Sequence, residues 1–241
     1  MTVLVLAGTS DARTVLEQLK TRDVIASLAG ATRDPAPLPV ETRIGGFGGV
    51  EGLQEYLTAQ GITAVLDATH PFAANMSANA HAACRALNIP HCILRRPEWL
   101  PQAGDDWHFI DEIADLAALI TPKSQVFLAT GRQTLRDYAC LVGCYLYARV
   151  IDLPHAEFPF ENGEFVIGRP PFSLSDEIAL FERLKIDWLV AKNAGGNRAR
   201  SKLDAARALG IPVALIKRPA TPEALVVDSA AQAKDWLERY L

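Results

Sequence analysis

One internal repeat narrows the choice of fold more than any other feature of this chain. The segment ITAVLDATH, starting at Ile62, aligns with IDWLVAKNA, starting at Ile186, and CRALNIPHCILRRP, ending at Pro97, aligns with ARALGIPVALIKRP, ending at Pro219; the offsets are 124 and 122 residues. Shorter matches keep the same order: Val3-Leu4-Val5 with Val126-Phe127-Leu128, Ile44-Gly45 with Ile167-Gly168, and Phe109-Ile110-Asp111 with Val226-Val227-Asp228. Colinear matches at half the chain length mean two copies of one folding unit rather than one large sheet. The spacing places the division near Thr121-Pro122-Lys123, giving domains 1–122 and 123–241.

Within each copy, short apolar runs end in small or polar residues: VLVLAGT (3–9), VIASLAG (24–30), ITAVLDATH (62–70), HCILRRP (91–97), VFLATG (126–131), DWLVAKN (187–193) and VALIKRP (213–219). Runs that stay apolar at every position fit strands buried on both faces of a parallel sheet. Amphipathic stretches of helix length lie between them, at 11–20, 50–59, 73–87, 174–184, 201–209 and 229–240. The expected class is therefore α/β, two similar doubly wound and mainly parallel domains. Ligands of such sheets sit beyond the carboxyl ends of the strands, so the expected site is an interdomain cleft lined by those polar tips.

Composition removes several function classes. With 28 acidic and 24 basic residues, and without a sustained basic run, nucleic acid is not an expected partner. No stretch reaches the about 20 apolar residues of a membrane helix, and Val3 to Ala7 is too short and lacks the basic flank of a signal peptide, so a cytoplasmic location is expected. Cys84, Cys92, Cys140 and Cys144 lack zinc-ligand spacing and read as reduced, mostly buried thiols; no metal is expected.

The first strand runs through Ala7-Gly8-Thr9-Ser10-Asp11-Ala12-Arg13 into a helical pattern. Free amides and the positive end of a helix dipole converge there, which suits a phosphate. Gly8 allows close backbone approach, Ser10 or Asp11 can cap the helix, and Ala12 permits close packing. Where an NAD site carries an acid for the ribose 2′-hydroxyl, this chain reads Gly30-Ala31-Thr32-Arg33. A hydroxyl and a cation without an acid suit a 2′-phosphate, so NADPH is expected over NADH, with Arg13 or Arg33 as the charged contact. Gly45-Gly46-Phe47-Gly48-Gly49 exposes bare backbone to a cofactor, and Gly46 is assigned to it. The fourth strand ends in Thr69-His70-Pro71, with Thr69 placed on the cofactor side and His70 as a candidate catalytic group.

In the second copy the equivalent tips are Thr130-Gly131-Arg132, Gly168-Arg169-Pro170-Pro171 and Lys192-Asn193-Ala194. A lysine closing an apolar strand faces the ligand edge, since its charge has nowhere else to go. Arg132, Arg136, Arg169, Lys192, Arg198, Arg200 and Lys202 make this half locally basic, a set suited to a ligand with several carboxylates. A short-chain dehydrogenase is disfavoured because none of the five tyrosines has a lysine four residues on.

Across most of its length the chain resembles the precorrin-6A reductase family of cobalamin biosynthesis, the CobK/CbiJ type, through LAGTSDAR (6–13), IGGFGG (44–49), DATHPFA (67–73), LRRPEW (94–99), TGRQ (130–133), GRPPFS (168–173) and KNAGG (192–196). The resemblance implies two Rossmann-like domains and an NADPH-dependent hydride transfer that reduces one ring double bond of precorrin-6A, giving precorrin-6B (dihydroprecorrin-6A). It places Gly8, Thr9, Ser10, Asp11 and Arg13 on the NADPH side and Gly131, Arg132, Lys192 and Asn193 across from it, with Arg169 and Arg198 added to the substrate set. His70 and Lys192 are the candidates for assisting the proton that follows the hydride. A transient hand-over of product to neighbouring pathway enzymes is compatible with this reading. The alternative is a two-domain NADPH-binding or sensor protein without turnover.

Overall fold

A computed structural model describes residues 1–30, 36–152, 156–197 and 199–241. It contains two sheets of six strands, every pairing parallel. The first is built from β1 (Thr2–Leu6), β2 (Val24–Leu28), β3 (Glu41–Ile44), β4 (Ile62–Asp67), β5 (His91–Leu94) and β12 (Leu225–Val227). The second holds β6 (Trp107–Ile110), β7 (Gln125–Ala129), β8 (Tyr145–Val150), β9 (Gly163–Ile167), β10 (Trp188–Lys192) and β11 (Val213–Ile216). The first sheet runs β3-β2-β1-β4-β5-β12 and the second β9-β8-β7-β10-β11-β6, with the direction of growth reversing beside β1 and β7, which is the doubly wound Rossmann order.

The continuous apolar runs have the cause expected of them. Along β1, Val3 and Val5 enter one core with Val15 and Leu16 of α1 (Ser10–Gln18) and Trp236 and Leu237 of α7 (Ala230–Leu237). Leu4 and Leu6 point the other way, into a core with Leu53 and Leu57 of α2 (Val50–Ala59) and Ala80 and Ala83 of α3 (Ala74–Leu87). Helices on both faces leave no solvent side for a polar alternation. The short α4 (Leu116–Leu119) precedes β7, and in the second sheet Phe127 and Leu189 pack on Phe181 of α5 (Leu174–Leu184) and Leu203 of α6 (Ser201–Leu209).

The repeated string R-A-L-x-I-P is a helix stop. Asn88 after α3 and Gly210 after α6 take left-handed φ values of 53° and 66°. The next residue's N–H then folds back onto the helix, Ile89 to the Cys84 carbonyl (2.9 Å) and Ile211 to that of Ala206 (2.8 Å). Proline next prevents the helix from resuming.

The expected division near residue 122 is not where the chain divides. The compact units are 1–97 with 219–241, and 98–218. The sixth strands are exchanged: β6, from the first half of the chain, pairs with β11 (Phe109 opposite Leu215), and β12, from the second, pairs with β5 (Val226 opposite Ile93). Two copies of one unit offer equivalent fifth-strand edges, so a repeat pattern leaves open which edge receives which sixth strand. No helix among the described residues is long and apolar enough to cross a membrane.

Candidate functional site

The carboxyl edge of the first unit begins at Gly8. Its φ of 125° is a value side-chain-bearing residues rarely adopt, and nothing lies within 4 Å of where a Cβ would stand. This opening lies directly before α1, whose cap is Thr9 rather than Ser10 or Asp11: in extended conformation, Thr9 Oγ1 accepts from the Ala12 N–H (3.1 Å). The Thr9 hydroxyl donates to the Ala68 carbonyl (2.8 Å), tying the turn after β1 to the end of β4. Ser10 opens α1, and fully buried Ala12 lets the helix sit close to the sheet. Asp11, in the first turn, would repel an anionic ligand, but Arg96 Nη1 pairs with its carboxylate at 2.6 Å. Arg13 donates to the carbonyls of Pro37 (2.7 Å) and Ala36 (2.8 Å), so it braces the segment after β2. Thr32 and Arg33 lie outside the described residues.

The end of β4 turns on a residue that the sequence reading passed over. Asp67 is 1% exposed; its Oδ1 accepts from the N–H (3.0 Å) and hydroxyl (2.6 Å) of Thr69, and its Oδ2 from the Ser77 hydroxyl (2.5 Å). Thr69 therefore shapes the turn with its side chain. His70 is exposed, and its Nδ1 accepts from the Phe72 N–H (3.2 Å), which puts the proton of a neutral ring on Nε2. Arg95 gathers neighbouring chain ends, donating to the carbonyls of Pro71 (3.1 Å) and Pro219 (3.0 Å). An acid closing an apolar strand was the available signal for Asp67, the same logic that singles out Lys192. Nearby, burial and then the Asp67 carboxylate push the Cys84 and Cys92 thiols up to about 12, so both are thiols at neutral pH.

The glycine loop after β3 is also organised by an unforeseen residue. Arg43 donates to the Ser27 hydroxyl (2.9 Å) and to the carbonyls of Gly45 (2.8 Å) and Gly46 (2.9 Å). Gly46 is exposed, with open space where a Cβ would stand.

The second unit repeats the topology with different chemistry. After β7 the chain enters a 3-10 turn, Leu135–Cys140, in place of an α-helix, and buried Tyr138 donates to Thr130 Oγ1 (2.9 Å). Burial raises the Tyr138 pKa. Without an α-helix at this turn, the place equivalent to the start of α1 lacks the aligned amides that suit a phosphate. Gly131 and Arg132 lie exposed at the same edge. Gly131 lines a cavity of about 230 Å³ with Arg149, Gly168, Phe172, Glu177 and Lys202. At its side Arg149 and Glu177 form a bidentate pair (2.7 and 2.6 Å), with Glu177 1% exposed. Arg169 is exposed and pairs with Asp152. Lys192 closes β10 half-buried, and burial lowers its pKa. Asn193, expected as a substrate contact, is 1% exposed and turned inward: Oδ1 accepts from the Trp99 N–H (2.9 Å), and Nδ2 donates to Glu98 (3.0 Å) and to the Trp99 carbonyl (3.3 Å). Its amide is spent on holding residues 98–99. Arg198 lies outside the described residues, and among them no cluster of three His, Cys, Asp or Glu side chains could hold a metal ion.

The first unit thus presents an open glycine followed by a capped α-helix, whereas at the equivalent place the second presents an open glycine, Gly131, followed by a 3-10 turn. A family model described as precorrin-6x reductase CbiJ/CobK matches residues 2–238. The chain is 44% identical to a precorrin-6A reductase of Rhodobacter capsulatus over 238 residues, covering 98% of this chain and 95% of that one. It is also 44% identical to a precorrin-6A reductase of Rhodococcus erythropolis over 241 residues, covering 98% and 96%. A solved structure of a CobK precorrin-6A reductase superposes with a TM-score of 0.93 at 42% identity, covering 100% of this chain and 97% of that one. A match of this extent, on the same two six-stranded sheets, places the chain in the precorrin-6x reductase family, CbiJ/CobK.

Proposed function

We propose that the chain is a precorrin-6A reductase that uses NADPH and yields the dihydro product, precorrin-6B. The observation that carries the cofactor half is the open glycine at the head of α1: a Cβ at Gly8 would project into unfilled space, and the residues around it fit a pyrophosphate. Gly8, Thr9 and Ser10 present their backbone to it, and Arg96 neutralises Asp11 so that the helix end stays attractive to anions. Gly46 and Thr69 flank the same edge. The preference for NADPH over NADH rests on Thr32 and Arg33, which replace the acid of an NAD site.

When bound, the nicotinamide supplies the hydride. The protein's part is to orient the two reactants, exclude water and handle a proton. His70 carries a proton on Nε2 in its neutral form. Lys192 is a stronger acid than an ordinary lysine because burial destabilises its ammonium form. Lys192 in its ammonium form can therefore protonate the carbon next to the one that receives hydride, and His70 can do so once a second proton on Nδ1 makes it an imidazolium. Exposed Arg132 and half-buried Lys192, with Arg169 held beside Asp152, place cations at the carboxyl edge of the second sheet for a ligand rimmed with carboxylates. On this reading the pathway enzyme that follows receives a freely released product or a direct hand-over.

The test mixes the protein with precorrin-6A and either NADPH or NADH and follows nicotinamide oxidation together with the tetrapyrrole spectrum. Faster oxidation of NADPH, dependent on precorrin-6A, is the expected result. Equal use of both nucleotides would refute the NADPH preference. Cofactor binding without oxidation would refute the enzyme and leave a sensor. Single-turnover reduction at the wild-type rate in both His70→Ala and Lys192→Met would remove those residues from the proton step.

A further inference from the structure

A loop with four glycines in five positions is costly to hold in one shape, because each glycine surrenders more backbone freedom than other residues. In the 45–49 loop Gly45, Gly48 and Gly49 sit at φ values of 121°, 81° and 101°, and none of the three has a neighbour within 3.4 Å of where its Cβ would stand. The fixing comes mainly from one side chain. The planar fork of Arg43 holds the carbonyls of Gly45 and Gly46 with one terminal nitrogen each, and the first of these nitrogens also reaches buried Ser27 on β2. The guanidinium carbon lies 3.8 Å from the ring centroid of Phe47, inside the loop, and 5.1 Å from that of Tyr56 on α2. The loop is thus pinned through two carbonyls and an aromatic face at once.

The second unit fills the same place by another route. Ser27 stands opposite Arg43 across the β2–β3 pair, and Arg149 stands opposite Val166 across the β8–β9 pair, so the cation has moved to the neighbouring strand. Arg149 again lies against the loop's phenylalanine, Phe172, at 4.2 Å, but it bonds Glu177 rather than loop carbonyls. That loop contains Pro170 and Pro171, which already restrict its backbone. Only the glycine-rich copy has its carbonyls held by the guanidinium.

We propose that Arg43 is a positioning residue for cofactor binding: it presets the 45–49 loop so that its bare backbone is ready to receive the nicotinamide dinucleotide. The proposal rests on the reading that the dinucleotide lies at this edge of the first unit. Three of the five guanidinium N–H donors of Arg43 are engaged by Ser27, Gly45 and Gly46, which favours holding the loop over contacting a phosphate. A preset loop lowers the ordering cost of binding and leaves the chemical step alone.

The experiment compares wild type, Arg43→Ala, Arg43→Lys and Gly8→Val. It measures the KM for NADPH and for NADH, kcat at saturation, and amide hydrogen exchange at residues 45–49. Arg43→Ala is expected to raise both KM values by about tenfold, Arg43→Lys by about threefold because the charge remains and the fork is lost, with kcat within about twofold. Exchange at 45–49 should accelerate in the same order. A loss confined to NADPH would mean that Arg43 touches the 2′-phosphate, and would overturn the proposal. So would unchanged KM and unchanged exchange in Arg43→Lys, the variant that keeps the strand and the charge. If Gly8→Val binds both nucleotides like wild type, the placement of the dinucleotide is what fails, and the exchange at 45–49 still decides whether Arg43 holds the loop.

Discussion

Asn193 separates two readings of one residue, and its substitution by alanine decides between them. As a substrate contact, Asn193→Ala would raise KM and leave the fold intact. As the clamp seen in the structure, it supplies both the acceptor for the Trp99 N–H and a donor to the Trp99 carbonyl, at 2.9 and 3.3 Å, where Trp99 is 4% exposed. Each buried backbone group left without its partner costs about 1–3 kcal/mol. The bond to half-exposed Glu98 adds little. The sum is about 2–6 kcal/mol, which in a unit of this size lowers Tm by about 8–24 °C. Urea unfolding followed by tryptophan emission reads it well, because Trp99, Trp107 and Trp188 all lie in the second unit. Asn193→Asp adds a sign: aspartate keeps an acceptor for the Trp99 N–H but sets a carboxylate against the Trp99 carbonyl and the Glu98 carboxylate. Its folded-state pKa is then raised, so the variant approaches wild type near about pH 4 and falls behind as pH rises. An Asn193→Ala variant within about 0.5 kcal/mol of wild type would refute the clamp.

Three further outcomes are expected. Thr9→Val loses the helix cap and the tie to Ala68, costing about 1–2 kcal/mol and weakening NADPH binding, while Thr9→Ser restores both; thermal melts with and without cofactor check it. Glu177→Gln leaves Arg149 nearly buried without its counter-charge and costs about 3–5 kcal/mol, whereas the double variant Arg149→Met with Glu177→Leu recovers most of that in a denaturant titration. Burial holds the His91 imidazole below its ordinary value of 6.5, and neither ring nitrogen has a hydrogen-bond partner. As pH falls below 6.5 the unfolded chain takes up a proton before the folded one, so stability is full above that value and declines beneath it. His91→Leu should flatten that decline between about pH 8 and pH 5, and an unchanged slope would count against it.

What the residues disclose in advance is whatever depends on local pattern. The αβ alternation, the six long helices to within a few residues and the duplication all follow from which positions are apolar and where helices must stop, as at Asn88 and Gly210. The edge at Gly8 follows too, since a glycine between an apolar run and a helix start has few other uses. What stays hidden depends on partners far along the chain. Asn193 looks like a free polar tip until Trp99, 94 residues away, is seen to need it. Arg13 reads as a phosphate ligand, and only the structure shows that it also braces the carbonyls of Ala36 and Pro37. Arg43 escapes notice because a charged residue on a short edge strand is ordinary, and only the loop folded against it shows why it is there.

The exchanged sixth strands also set a timetable for synthesis. Residues 98–218 are contiguous, so the second unit is complete as soon as they have left the ribosome. The first unit is not: the outer edge of β5 stays unpaired and Trp236 and Leu237 are missing from its core until 219–241 follow. At about 5–20 residues per second that interval lasts a second or more, with a bare parallel edge exposed to any other strand. The half begun first is therefore the half finished last.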